Sequence, residues 1–209
     1  MEPLQKILFY KVVAILRGSD PDHVVEIARA LHEGGVKLLE VTLNSPDALG
    51  AITRITHELG DQLLVGAGTV LDAEAAKAAI SAGAKFIISP NLDKATIETT
   101  KKSGVISIPG AFTATEILQA YRYGGDIIKV FPASIGPDYI RDLRGPFPHI
   151  PLMPTGGVNL ENIRAFQKAG AVAFGIGSAL VNATPAVTAE YLQQLKEKAG
   201  KYIQALAHE

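Results

Sequence analysis

The 209-residue chain contains no cysteine. Disulfides, thiolate metal sites and thiol nucleophiles are thereby excluded, and a reducing compartment fits. The chain also lacks an excess of either charge: 20 lysines and arginines stand against 21 aspartates and glutamates. With no net basic field and no arginine-rich or aromatic-interleaved tract, no nucleic-acid partner is expected. Long apolar runs are missing too. None approaches the roughly 20 residues of a membrane-spanning helix. The opening segment, MEPLQKILFYK, carries Glu2 and too short an apolar run for a secretory signal. No membrane partner is expected, and the expected location is cytoplasmic. The five histidines, His23, His32, His57, His149 and His208, fall on presumed helices, a late loop and the tail. They offer neither metal-ligand spacing nor the parts of a serine–histidine triad, so each reads as a surface histidine and no metal site is expected.

What is present is a core and a repeat. Apolar residues make up 47% of the chain and charged residues 20%, an ordinary balance for a globular protein. One pattern recurs: a helix end of small residues, a glycine, then an apolar run. It appears in EGGVKLLEVTL, SAGAKFIISP, KSGVISIPG, YGGDIIKVFPA and KAGAVAFGIGS. The glycine suits a left-handed helix terminus. The runs are continuous rather than alternating, as in parallel strands covered on both faces. With KVVAILRG, QLLVGAGTV and IPLMPTGG they predict eight strands, beginning near residues 12, 38, 63, 86, 105, 127, 152 and 173. Between them lie helical segments such as DPDHVVEIARALHEG and DAEAAKAAISAG, each opened by an aspartate suited to capping. Eight such units predict a single (β/α)8 TIM barrel with parallel strands over residues 1–209, with no linker or low-complexity segment to divide it. The rival is a doubly wound open sheet binding a dinucleotide. GAGTVL and GIGSAL each supply only two glycines of that fingerprint, which is weak support.

In a (β/α) barrel chemistry occurs at the C-terminal ends of the strands. Lys37 and Lys85 follow their glycines by two positions and fall at strand entrances, on the opposite rim. Glu40 and Lys129 lie deeper, inside apolar strands, and Arg17 closes the first strand. Two readings are open: a buried Glu40–Lys129 ion pair, or an amine nucleophile at Lys129 whose pKa burial and Arg17 lower while Glu40 opposes. Thr155, Gly156 and Gly157 follow the seventh strand, and Gly177 and Ser178 end the eighth. Loops in those places commonly hold phosphate through backbone amides, with the two hydroxyls as further donors. Thr69 ends the third strand. Asp72 is the better helix cap, which leaves Thr69 available to a ligand.

The motifs ILRG, LLEVTL, GAGTV, ISPN, IPGAFTATE, IKVFPA, GPFP, PTGGVNLEN and GIGSAL, in this order over residues 7 to 182, resemble the 2-keto-3-deoxy-6-phosphogluconate (KDPG) / 4-hydroxy-2-oxoglutarate (KHG) aldolase family. The resemblance implies a class I, Schiff-base aldolase on a (β/α) barrel, assembled as a homotrimer, needing no metal or other cofactor, with a place in carbohydrate metabolism. The implied reaction is reversible cleavage of a phosphorylated 2-keto acid, KDPG first, to pyruvate and glyceraldehyde 3-phosphate, with KHG as a further substrate. By position it makes Lys129 the imine-forming lysine and Glu40 the proton shuttle. Thr69 would contact the pyruvate carboxylate, and Pro90 and Phe131 would wall the pocket. Gly156, Gly157, Gly177 and Ser178 would hold the phosphate. One position departs from the pattern: where many members carry a substrate-gripping arginine after EVTL, this chain has Asn44. Arg17, ending the neighbouring strand, is the expected replacement. The LNSP turn is also similar to that of members acting on 2-keto-3-deoxy-6-phosphogalactonate, which leaves the preferred C4 epimer open. Two other readings remain: a phosphosugar isomerase or epimerase, and a non-catalytic barrel that binds a phosphorylated metabolite.

Overall fold

The computed structural model describes residues 1–183 and 186–207; His208 lies outside them. Helix α1 (Pro3–Tyr10) precedes strand β1 (Val12–Leu16) and a short 3-10 turn (Pro21–His23). Then follow α2 (Val24–Glu33), β2 (Leu38–Thr42), α3 (Ala48–Leu59), β3 (Leu64–Gly68), α4 (Ala73–Ser81), β4 (Phe86–Ile88) and α5 (Lys94–Lys102). The second half runs β5 (Ile106–Ile108), β6 (Gly110–Ala111), α6 (Ala114–Arg122), β7 (Ile128–Val130), α7 (Pro137–Arg144), β8 (Leu152–Pro154), α8 (Ile163–Lys168), β9 (Phe174–Ile176) and α9 (Ala189–Leu206).

All strand pairs are parallel. A six-stranded sheet has the order β5-β4-β3-β2-β1-β9, and a three-stranded sheet the order β6-β7-β8. The predicted fifth strand is therefore two segments. Pro109 separates them because it has no N–H to give to a ladder. Its carbonyl still accepts from the amide of Lys129 at 2.9 Å, and an isolated parallel bridge joins Thr155 to Gly175.

The recurring glycines end their helices as expected, with positive φ at Gly35, Gly83, Gly104, Gly124 and Gly170. Asp72 caps α4, accepting from the amide of Ala75 at 2.7 Å. Asp20 does not cap α2; it accepts from Asp22 and caps the 3-10 turn that leads into that helix. The proline at residue 21 favours that tight first turn.

The strands are buried on both faces, which explains their continuous apolar runs. One face packs on the helices. The other contributes Val13, Leu38, Leu64, Phe86, Ile88, Ile108, Ile127, Met153 and Ala173 to a separate inner cluster that Ile7 of α1 joins. Each fully buried Val, Leu, Ile, Phe or Met side chain contributes about 1.5–3 kcal/mol. Lys85 is exposed at the strand-entrance rim, and Lys37 there donates to Nε2 of His32 at 2.6 Å, away from the chemistry described below.

Candidate active site

Side chains two apart in a strand share a face. Leu38 belongs to the inner cluster, so Glu40 points the same way one layer on; the same relation takes Ile127 to Lys129 and Phe131. Glu40 and Lys129 are the only buried charged side chains among the described residues, at 0% and 3% exposure. Neither carboxyl oxygen of Glu40 has a hydrogen-bond partner, so the two are not a hydrogen-bonded ion pair. Burial pushes the Glu40 carboxyl up, against the pull of Lys129 and Arg17. Burial likewise pushes the Lys129 amine down, with Arg17 adding to the effect and Glu40 opposing it. Desolvation wins at both residues, favouring a free amine beside a carboxylic acid. The Lys129 Nζ lies 4.9 Å from the centroid of the Phe131 ring.

Glu40 owes its seat to Gly68 at the end of β3. A Cβ there would fall 1.6 Å from Glu40 Oε1. The next residue, Thr69, has φ +54°, a left-handed conformation that costs a β-branched residue about 1–3 kcal/mol. Its Oγ1 accepts from Arg17 Nη2 at 3.4 Å, while Arg17 Nη1 donates to Asn44 Oδ1 at 3.3 Å. Arg17 therefore reaches across β2 to the position of Asn44 and on to β3.

Above Lys129 opens a cavity of about 420 Å³. Arg17, Lys129, Phe131, Thr155, Gly156, Gly157, Gly177 and Ser178, all expected from the sequence, line it. Glu40 and Thr69 adjoin it through Lys129 and Arg17 rather than forming its wall. Pro90 is not on the wall either; its backbone packs against Gly110, where a Cβ would lie 2.4 Å away. Arg17 and Lys129 are the two cations of the wall. Gly156 and Gly157, also on the wall, turn the chain at φ +79° and +89°. The amides of Gly157, Val158, Ser178 and Ala179 donate to no group among the described residues. Thr155 Oγ1 is buried without a partner, and Gly175 leaves the space it occupies. The cavity thus offers cations fit for a carboxylate and unspent backbone amides fit for a phosphate.

Sequence reasoning missed Gly68, Val158, Asn159, Gly175 and Ala179. For Gly68 and Gly175 the available signal was a glycine inside or ending an apolar strand, which marks close approach by another group; Val158, Asn159 and Ala179 carried none.

The family model "Aldolase: KDPG and KHG aldolase" matches residues 5–197. A 2-dehydro-3-deoxy-phosphogluconate aldolase of Pseudomonas aeruginosa is 40% identical over 154 residues, 73% of this chain and 68% of its own. A 2-dehydro-3-deoxy-6-phosphogalactonate aldolase of Escherichia coli is 36% identical over 178 residues, 84% of this chain and 87% of its own. Among solved structures, a KDPG aldolase from Legionella pneumophila with pyruvate captured at low pH as a covalent carbinolamine matches with a TM-score of 0.80 at 25% identity, covering 100% of this chain and 99% of that one.

Proposed function

Because the chain belongs to the KDPG and KHG aldolase family, we propose that it is a Schiff-base aldolase cleaving a 2-keto-3-deoxy-6-phospho sugar acid, KDPG first, to pyruvate and glyceraldehyde 3-phosphate. The observation that carries this reading is the pair of buried charges, Glu40 and Lys129, each pushed toward its neutral form beside one cavity.

The free amine of Lys129 attacks C2 of the substrate and forms a carbinolamine. Glu40 gives its proton to the departing hydroxyl, water leaves, and an iminium remains. The Glu40 carboxylate then takes the proton of the C4 hydroxyl. The C3–C4 bond breaks, its electron pair moves into the iminium, and the aldehyde departs. Glu40 returns the proton to C3 of the enamine, and water releases pyruvate from Lys129. Arg17 grips the pyruvyl carboxylate in place of the absent arginine at Asn44, holding Thr69 beside it. Phe131 covers the imine. The amides of Gly157, Val158, Ser178 and Ala179, with the Thr155 and Ser178 hydroxyls, take the phosphate.

We read the two sheets as one closed (β/α)8 barrel. Support comes from the chain running from β5 through Pro109 into β6 and from the Thr155–Gly175 bridge between β8 and β9. A homotrimer accords with the family resemblance, and sedimentation velocity tests it. No helix among the described residues is long and apolar enough to cross a membrane; the cytoplasm is the proposed location.

Incubation with pyruvate and borohydride, then intact-mass measurement and peptide mapping, tests the central claim. A reduced pyruvyl adduct on Lys129 is expected. A folded protein with no adduct would return the phosphosugar epimerase and the non-catalytic, metabolite-binding barrel to consideration. Rates on the gluconate and galactonate epimers, measured side by side, decide the C4 preference.

A further inference from the structure

The β8–α8 loop carries two asparagines that the mechanism does not use. Asn162 donates from Nδ2 to the carbonyl of Gly157 at 2.8 Å, and its Oδ1 accepts from the amide of Asn159 at 2.9 Å. Asn159 answers through its own Oδ1, which accepts from the amides of Glu161 and Asn162 at 2.9 and 3.2 Å. Gly157, Val158 and Asn159 line the cavity; Asn162 does not. In a trans peptide the carbonyl and the next N–H point in opposite directions. A carbonyl of Gly157 held toward Asn162 therefore leaves the Val158 N–H directed away from Asn162, and that N–H is one of the unspent donors of the cavity. Two glycines in succession at positive φ would otherwise leave this peptide plane free to rotate.

We propose that Asn162 is a positioning residue for phosphate recognition, acting through the Gly157–Val158 peptide. The inference rests on the phosphate reading of this loop given above. Only a side chain with one donor and one acceptor at this reach makes both bonds. Aspartate, of the same shape, is acceptor-only when ionised and faces the Gly157 carbonyl lone pairs. Alanine makes neither bond.

The test compares wild type, Asn162→Asp and Asn162→Ala on KDPG and on 4-hydroxy-2-oxoglutarate, which has no phosphate, with inorganic phosphate as a competitive inhibitor. Expected for both variants is a KM for KDPG raised about tenfold, a loss of about 1.4 kcal/mol in binding. Their kcat stays within about twofold, and inhibition by phosphate weakens in proportion. Kinetics on 4-hydroxy-2-oxoglutarate stay unchanged, which a merely structural role would not spare. Equal losses on both substrates, or an unchanged KM for KDPG, overturn the proposal. A wild type showing no preference for KDPG over 4-hydroxy-2-oxoglutarate overturns the phosphate reading itself, and Asn162 with it. A wild type with the preference and variants without the KM change overturn the role of Asn162 alone.

Discussion

Replacing Gly68 with alanine would place a Cβ 1.6 Å from Oε1 of Glu40, 2.3 Å from its Cδ and 2.6 Å from its Cγ. Ordinary contact begins at 3.4 Å, so the carboxyl must retreat by the difference, about 1.8 Å. Glu40 is fully buried and cannot retreat into water. Overpacking of this kind costs about 1–3 kcal/mol, which in a chain of this size lowers the melting temperature by about 2–12 °C. The catalytic cost is larger, because about 1 Å of misplacement at a reacting group can cost about 10²-fold. Gly68→Ala is therefore expected to fold and to lose about 10²-fold or more in kcat, read by coupling pyruvate release to lactate dehydrogenase. The Glu40→Gln background isolates the cause. If displacement of the carboxyl is the whole effect, Gly68→Ala should subtract little further activity once the carboxyl is gone. Retention of kcat within about twofold in Gly68→Ala would refute the argument that this glycine seats the proposed proton shuttle.

Arg17→Ala is expected to raise the KM for every 2-keto acid substrate, phosphorylated or not, because it removes the cation of the cavity wall that is proposed to grip the carboxylate. An unchanged KM would show that Arg17 does not replace the arginine missing at Asn44. The pH dependence of stability follows from Glu40. Its folded pKa is raised above the ordinary 4.5. Between those two values the native chain keeps a proton that the unfolded chain releases, so wild-type stability falls as pH rises through the interval. Glu40→Gln removes this dependence. Its melting temperature should match wild type at about pH 4 and exceed it increasingly as the pH rises. A constant difference across that range, followed by calorimetry, would mean that the carboxyl is not held protonated by burial.

Glu40 and Lys129 were legible in the sequence because each interrupts an otherwise apolar strand, and burying a charge demands a reason. The repeat of helix, glycine and strand was equally legible, since it is local. What escaped depends on contacts between distant segments. Arg17 was expected to stand in for the arginine missing at Asn44, but its further contact with Thr69 was not, because it depends on β1, β2 and β3 being in register; 27 and 52 residues separate Arg17 from Asn44 and Thr69. Gly68 could be read as a glycine ending a strand, but not as the floor beneath Glu40. Pro109 was visible within SIPG, yet the apolar residues around it suggested one continuous strand where there are two. Asp20 sat where a helix cap belongs, and Pro21 diverted it to a tighter turn.

The inner cluster draws Ile7 from the first helix and Met153 and Ala173 from the last third of the chain, with single residues or pairs from the strand segments between. A chain cut after α5 would retain Val13, Leu38, Leu64, Phe86 and Ile88 but have none of Ile108, Ile127, Met153 or Ala173 to cover them. Each half would present bare apolar surface shaped for the other half. Fragments made by cleavage between α5 and β5 should therefore be sticky alone and able to complement one another when mixed. The repeats look modular along the chain, but the inner cluster is assembled from both halves of it.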